Sequence, residues 1–171
     1  ADSTGQLITA SESTKKESDV TNSTWYKEGL TRVNMAVGSA YQNADGVNVI
    51  SASGILNDGS DKVRVISADM TLDRIAIIVN SFIEMNDAEA FLVDKTSGVI
   101  LANRDSSLIS QTLGAEGQSH FYQLTAEKAA EKDYNFATLD GNMTVFQEVD
   151  GTNWLLISYI PKIGRASCRE R

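Results

Sequence analysis

This chain of 171 residues has one cysteine, one histidine and one proline. A lone thiol, Cys168, builds neither a disulfide framework nor a thiolate metal site. The cysteine-free run ahead of it suits an exported domain that needs no redox partner. A lone imidazole, His120 in QSHFYQL, is the one available histidine base. No G-x-S-x-G elbow accompanies it, so it reads as a surface or helix-cap residue. Positive charge is also scarce: 15 Lys and Arg stand against 23 Asp and Glu, a net charge of −8. Such a surface repels phosphate backbones and anionic membranes, which argues against a nucleic-acid partner. Long apolar runs are absent. Ile75–Val79 and Trp154–Ile157 fall far short of a membrane span, and polar residues 1–20 predict no secretory leader. The chain therefore reads as soluble, in a form compatible with excision from a membrane protein.

Catalytic and metal motifs are missing as well. There is no G-x-x-x-x-G-K-[ST] and no H-E-x-x-H. The acidic run NDGSD at 57–61 has part of a calcium loop but lacks the spacing and closing Glu, so it reads as a hairpin turn. No two carboxylates are spaced as an acid and base pair. The expectation is a non-enzyme with no cofactor and no metal.

What is present is a repeat. ADSTGQLITAS at 1–11 and VDKTSGVILANR at 93–104 each run Asp, polar turn, Gly, apolar strand. This predicts two copies of one fold unit. In the first, a strand is expected at Gln6–Ala10, a polar loop at 11–22 and a helix over Thr24–Asn34, with Trp25, Gly29, Leu30 and Val33 on one face. An Asp45–Gly46 turn precedes strands Val47–Ile55 and Lys62–Met70, joined by NDGSD. Thr71 caps a helix ending near Glu84, and Met85–Ala88 reads as the boundary. The second copy predicts strands Ala90–Val93 and Val99–Ala102, then a helix over Ser119–Lys132. Strands Tyr134–Leu139, Met143–Val149 and Trp154–Ile160 close it. Each copy is thus an α+β unit, an antiparallel sheet with helices on one face. The last stretch, IGRASCRER, loses apolar periodicity and reads as a non-native or disordered tail at 163–171.

Several runs then carry a family resemblance. TWYKEGL at 24–30, YQNADGVNVISAS at 41–53 and VISADMTLDRI at 65–75 resemble the membrane-distal module of double Cache sensor domains. AFLVDKTSGVILANRDSSLIS at 90–110 and GTNWLLISYIPK at 151–162 are similar to the membrane-proximal module. The resemblance implies two tandem PAS-like modules, a distal one at 1–85 and a proximal one at 86–162. The family's long N-terminal helix and first strand have no counterpart here. It also implies the extracytoplasmic sensor of a membrane-anchored bacterial chemoreceptor, homodimeric in the full receptor, that binds a small amine or amino acid in the distal module. By that resemblance Trp25, Tyr26 and Tyr41 match pocket aromatics, and Asp69 matches the acid that takes the ligand ammonium. Ser23 stands where the family has a carboxylate-gripping Arg, and Asn43 where it often has Asp.

The residue chemistry agrees with half of that assignment. An Asp facing aromatic rings suits a cation. Cation–π contact contributes about 0.5–2 kcal/mol, and a hydrogen bond to the carboxylate roughly 1.5–3 kcal/mol. With Ser23 in place of Arg, a ligand carboxylate loses its best bidentate partner. Competing readings stay open. Trp25 could staple a helix to the sheet, Tyr26 and Tyr41 could lie at the core edge, and Asp69 could cap the helix after Thr71. Asp94, Arg104 and Asp105 read as turn and surface residues. Alternative functions are the sensor of a histidine kinase or diguanylate cyclase, an extracellular interaction module without a small ligand, or a small hydrolase using His120.

Overall fold

The structure, a computed structural model, describes residues 1–10, 19–59, 61–81 and 88–161. The chain is α+β and divides into two compact units, Ala1–Ile75 and Ala76–Arg171. Among the described residues, no helix is long and apolar enough to cross a membrane.

In the first unit a short helix, α1 (Thr24–Gly29), leads to strands β1 (Ala36–Gln42), β2 (Asn48–Ile55) and β3 (Val65–Thr71). They form an antiparallel sheet in the order β1-β2-β3. The helix expected over Thr24–Asn34 stops at Gly29 because the chain beyond it is already committed: Arg32 O accepts from Ile55 N at 2.8 Å. Of the four residues expected on one helical face, Trp25 and Gly29 are buried, whereas Leu30 and Val33 are exposed. β1 was not expected. Its register shifts between Val37 and Ala40, and this irregularity hides the alternation that would mark a strand. Helix α2 (Leu72–Ser81) follows β3 directly, and Thr71 Oγ1 accepts from Arg74 N at 3.4 Å, a long capping contact. Leu72 and Ile75 are buried, whereas Ile78, at helical spacing from them, is exposed. The expected helix end near Glu84 and most of the Met85–Ala88 boundary lie outside the described residues, as do positions 11–18 and the 163–171 tail with Cys168.

In the second unit β4 (Glu89–Asp94), β5 (Ile100–Ala102), β6 (Ala137–Leu139), β7 (Asn142–Val149) and β8 (Trp154–Ile160) form a five-stranded antiparallel sheet, with helix α3 (His120–Ala130) between β5 and β6 in the chain. Its order is β5-β4-β8-β7-β6. Phe91, Ile100, Phe121, Leu155 and Ile157 form its core. β6 is shorter than the predicted Tyr134–Leu139, pairing only from Ala137.

The repeated turn is one structure used twice. Asp2 Oδ1 accepts from Thr4 N and Gln6 N at 3.0 Å each, and Asp94 Oδ1 accepts from Thr96 N at 3.0 Å and Ser97 N at 2.8 Å. Gly5 N donates to Asp2 O at 3.0 Å, as Gly98 N does to Asp94 O at 2.9 Å. The strands around the turns differ. β4 pairs β8 from Asp94↔Trp154 to Glu89↔Tyr159. In the first unit the matching ladder is only Ala1 against Val65 and Asp2 against Arg64. The expected strand Gln6–Ala10 is accordingly not formed: the β4 that β5 leans on has no full counterpart beside it.

Candidate functional site

The six residues of α1 are too few for a stable isolated helix, so packing holds them in place. Gly29 sets the closeness of that packing. A Cβ there would lie 2.4 Å from Val65 Cγ1, so only glycine lets the helix settle on β3. Trp25 and Tyr26 are buried with Val20 and Val65, their rings edge to face with centroids 5.8 Å apart. Tyr41, half-buried on β1, packs against the same cluster.

Strand register brings the remaining groups together. Ser51 on β2 stands opposite Asp69 on β3. Ser51 Oγ donates to Asp69 Oδ1 at 2.6 Å, and Tyr41 Oη lies 2.8 Å from Ser51 Oγ. A serine hydroxyl has one proton. With that proton donated to Asp69 Oδ1, Ser51 accepts from Tyr41. Both hydroxyls therefore point their donors toward the carboxylate. Ser51 is fully buried, whereas Asp69 is exposed.

A cleft of about 740 Å³ runs along β3 from Arg64 to Asp69, between that strand and the N-terminal run. Trp25, Asn43, Asp45 and Asp69 line it. It exists because the N-terminal run pairs with β3 only at Ala1 and Asp2. Of the charged residues along it, Asp2, Asp45 and Asp69 outnumber Arg64, which is ion-paired to Asp58. The Thr4 hydroxyl, with the amides of Gln6 and Thr4, holds the Asp2 carboxyl below the usual carboxylate range, so Asp2 serves the turn. Asp69 and Asp45 remain as acids facing the cleft.

The residues singled out by sequence thus take different places. Trp25, Asn43 and Asp69 line the cleft. Tyr41 backs Asp69 through Ser51, and Tyr26 packs beside Trp25. Asn43 Oδ1 accepts from Asp45 N and Val47 N at 3.0 Å each and so shapes the β1–β2 turn. Ser23 donates its hydroxyl to Val20 O at 2.6 Å. Ser51 is the member that sequence reasoning missed. Its signal was available: a polar residue two positions from Val49 on the buried face of a strand.

In the second unit Asp94 holds its turn, Asp105 accepts from Ser107 N at 2.9 Å and Arg104 lies 3.6 Å from Glu89. His120 opens α3 with its ring exposed, 3.7 Å from Asp140.

Comparison of the sequence with protein-family models, and with curated proteins, returns no match. Solved structures do match. The ligand-binding domain of the Pseudomonas fluorescens chemoreceptor CtaA, in complex with L-isoleucine, is 20% identical with a TM-score of 0.66, covering 93% of this chain and 66% of that one. The ligand-binding domain of the Pseudomonas aeruginosa PAO1 chemoreceptor PctB, with L-Gln, is 18% identical with a TM-score of 0.66, covering 94% and 66%. The extracellular domain ascribed to a histidine kinase, mmHK1S-Z2, is 14% identical with a TM-score of 0.63, covering 86% and 58%. The chain thus spans about two thirds or less of the length of these three structures. Its α+β fold of antiparallel sheets is that of the ligand-binding domains of bacterial chemoreceptors.

Proposed function

We propose that this chain is the ligand-binding sensor part of a bacterial transmembrane receptor, a chemoreceptor, and that it takes a small amine or amino acid in the cleft of the first unit. One observation carries the reading: Asp69, braced by Tyr41 and Ser51, stands on the same cleft as Trp25. The carboxylate would accept the ligand ammonium while the indole covers it. Amino acids in the matched structures, L-isoleucine and L-Gln among them, support the ligand class. Asn43 and the cleft amides would hold a ligand carboxylate more weakly than an arginine, so plain amines compete well with amino acids. In this reading residues 1–85 form the distal module and 86–162 the proximal one. The parent protein is membrane-anchored, works as a homodimer and presents this part outside the cytoplasm. Binding would bias one of two states of the receptor, which requires unequal affinity for the two.

Calorimetry with amines and amino acids tests this. Asp69→Ala should weaken a bound amine by roughly 10- to 100-fold, the loss of one charge-assisted hydrogen bond. Unchanged binding in the variant removes the assignment. A histidine-kinase sensor is the second reading, favoured by the match to mmHK1S-Z2; it shares the site and differs only in the attached output module.

A further inference from the structure

Glu28 lies one turn beyond Trp25 on α1 and does not line the cleft. Its carboxylate reaches β1 instead. Oε1 and Oε2 accept from Ser39 N at 3.1 and 3.2 Å. That amide is available because the β1–β2 register shifts between Val37 and Ala40. The approach requires Gly38: a Cβ there would fall 1.7 Å from Glu28 Oε2. Gly38 needs no unusual backbone angle, so steric room is its contribution. Arg32 completes the arrangement. It donates to Glu28 Oε2 at 3.4 Å, to Ala36 O at 3.0 Å and to Ser53 Oγ at 3.2 Å.

These contacts close a ring around the site. Trp25 and Glu28 share α1. Ser39 and Tyr41 share β1, and Tyr41 leads through Ser51 to Asp69. The aromatic and acidic walls of the cleft are thus joined through β1 by way of Glu28, Ser39, Tyr41 and Ser51, none of which lines the cleft.

We propose that Glu28 is a positioning residue: by clamping the Ser39 amide at the β1 irregularity, it sets where Trp25 stands relative to Asp69. Its bearing on ligand affinity rests on the function proposed above; its structural role does not. A ligand that draws Trp25 would pull the same clamp, so the β1 irregularity would move with occupancy.

Nitrogen-15 NMR of the full chain separates these statements. The Trp25 indole cross-peak, assigned by Trp25→Phe, and the hydrogen exchange of the Ser39 amide are followed in Glu28→Ala, Gly38→Ala and the double variant. Either single change should shift the Trp25 peak and speed Ser39 exchange by about tenfold or more. In the Glu28→Ala background, Gly38→Ala should add little, because the Glu28 carboxylate it would strike is gone and the flexible Arg32 Nη1, at 3.2 Å, has only a few tenths of an ångström to give. Glu28→Gln, which keeps an acceptor oxygen, should retain Ser39 protection. Equal effects of Gly38→Ala with and without Glu28, or a Trp25 peak unmoved by Glu28→Ala, overturn the proposal. If Gly38→Ala does not fold, the Glu28→Ala peak decides alone. Calorimetry with L-isoleucine, L-glutamine and GABA on the same proteins adds the second question. Failure of all three to bind the parent chain counts against the ligand reading and leaves the NMR outcome intact.

Discussion

Ser51→Ala is the sharpest single perturbation of the cleft's acidic wall. The hydroxyl is fully buried and sits between Tyr41 at 2.8 Å and Asp69 at 2.6 Å. Removing it breaks two bonds, one of them to a charged acceptor. A bond to a charge contributes about 1.5–3 kcal/mol and a neutral one about 1 kcal/mol. These do not simply add. Asp69 is exposed and Tyr41 only half-buried, so both groups regain water when Ser51 is lost. The expected cost is therefore about 1–2 kcal/mol. Tyr41→Phe removes the outer bond and leaves the bond to Asp69, and that outer bond's loss should cost about 0.5–1.5 kcal/mol. With Ser51 already gone, the Tyr41 change should cost less than it does in the parent, by a coupling of about 0.5–1.5 kcal/mol. The assay must report on the first unit alone, since two units need not unfold together. Trp25 emission in a Trp154→Phe background does that during urea titration. A Ser51→Ala midpoint equal to the parent's, or strictly additive Ser51 and Tyr41 changes, would refute the relay.

Three further outcomes follow from other contacts. Gly29→Ala should destabilise the first unit by about 1–3 kcal/mol, because its Cβ meets Val65 Cγ1 at 2.4 Å; the same emission-monitored titration measures it. Thr4 and the turn amides hold the Asp2 carboxyl below its ordinary value, so its stabilisation is full above the unfolded-state value and fades as pH falls through the folded one. The first unit's unfolding midpoint should therefore drop between about pH 5 and pH 2 less steeply in Asp2→Asn than in the parent, and parallel curves would exclude this role. In the second unit burial, then the bond to Glu89 at 2.5 Å, pushes the Tyr159 hydroxyl upward, so ultraviolet titration should show one tyrosine that ionises only on alkaline unfolding and is missing in Tyr159→Phe.

Elements whose patterns are local were legible in the sequence. β8 lies over Trp154–Ile160 as expected, and α3 differs from its predicted span by one or two residues at each end. Elements that depend on a distant partner were not. Gln6–Ala10 has the same apolar run as Val99–Ala102, yet only the latter region forms a strand, because pairing needs a neighbour and local pattern does not supply one. β1 escaped because a register shift interrupts AVGSAYQ at Gly38 and Ser39. The site followed the same division. Trp25 and Asp69 were found as residue types, and the structure places both on one cleft. Ser51 was legible as a polar residue on the buried face of β2, but its link to Asp69 exists only once β2 lies against β3.

The two units explain each other when their turns are superposed in register. Asp2 bridges to Arg64 as Asp94 pairs with Trp154. Five residues on, Asp69 therefore corresponds to Tyr159. Ser51, opposite Asp69, corresponds to Thr144, opposite Tyr159. A hydroxyl residue is retained at the paired position on the neighbouring strand in both units, fully buried in each. What differs is the group beside it. Tyr159 packs onto Phe121 with ring centroids 4.6 Å apart and onto Phe91 at 6.2 Å, filling its side of the sheet with core. Asp69 offers a short anionic group that the core cannot accept, because a buried unpaired carboxylate costs far more than packing returns. It must face water or a cation. The same backbone position thus carries an aromatic ring packed on other rings in one unit and an acid facing a cleft in the other. The repeated turn is common to both units, and this one exchange of tyrosine for aspartate puts an acid on the cleft that the short N-terminal pairing leaves beside β3.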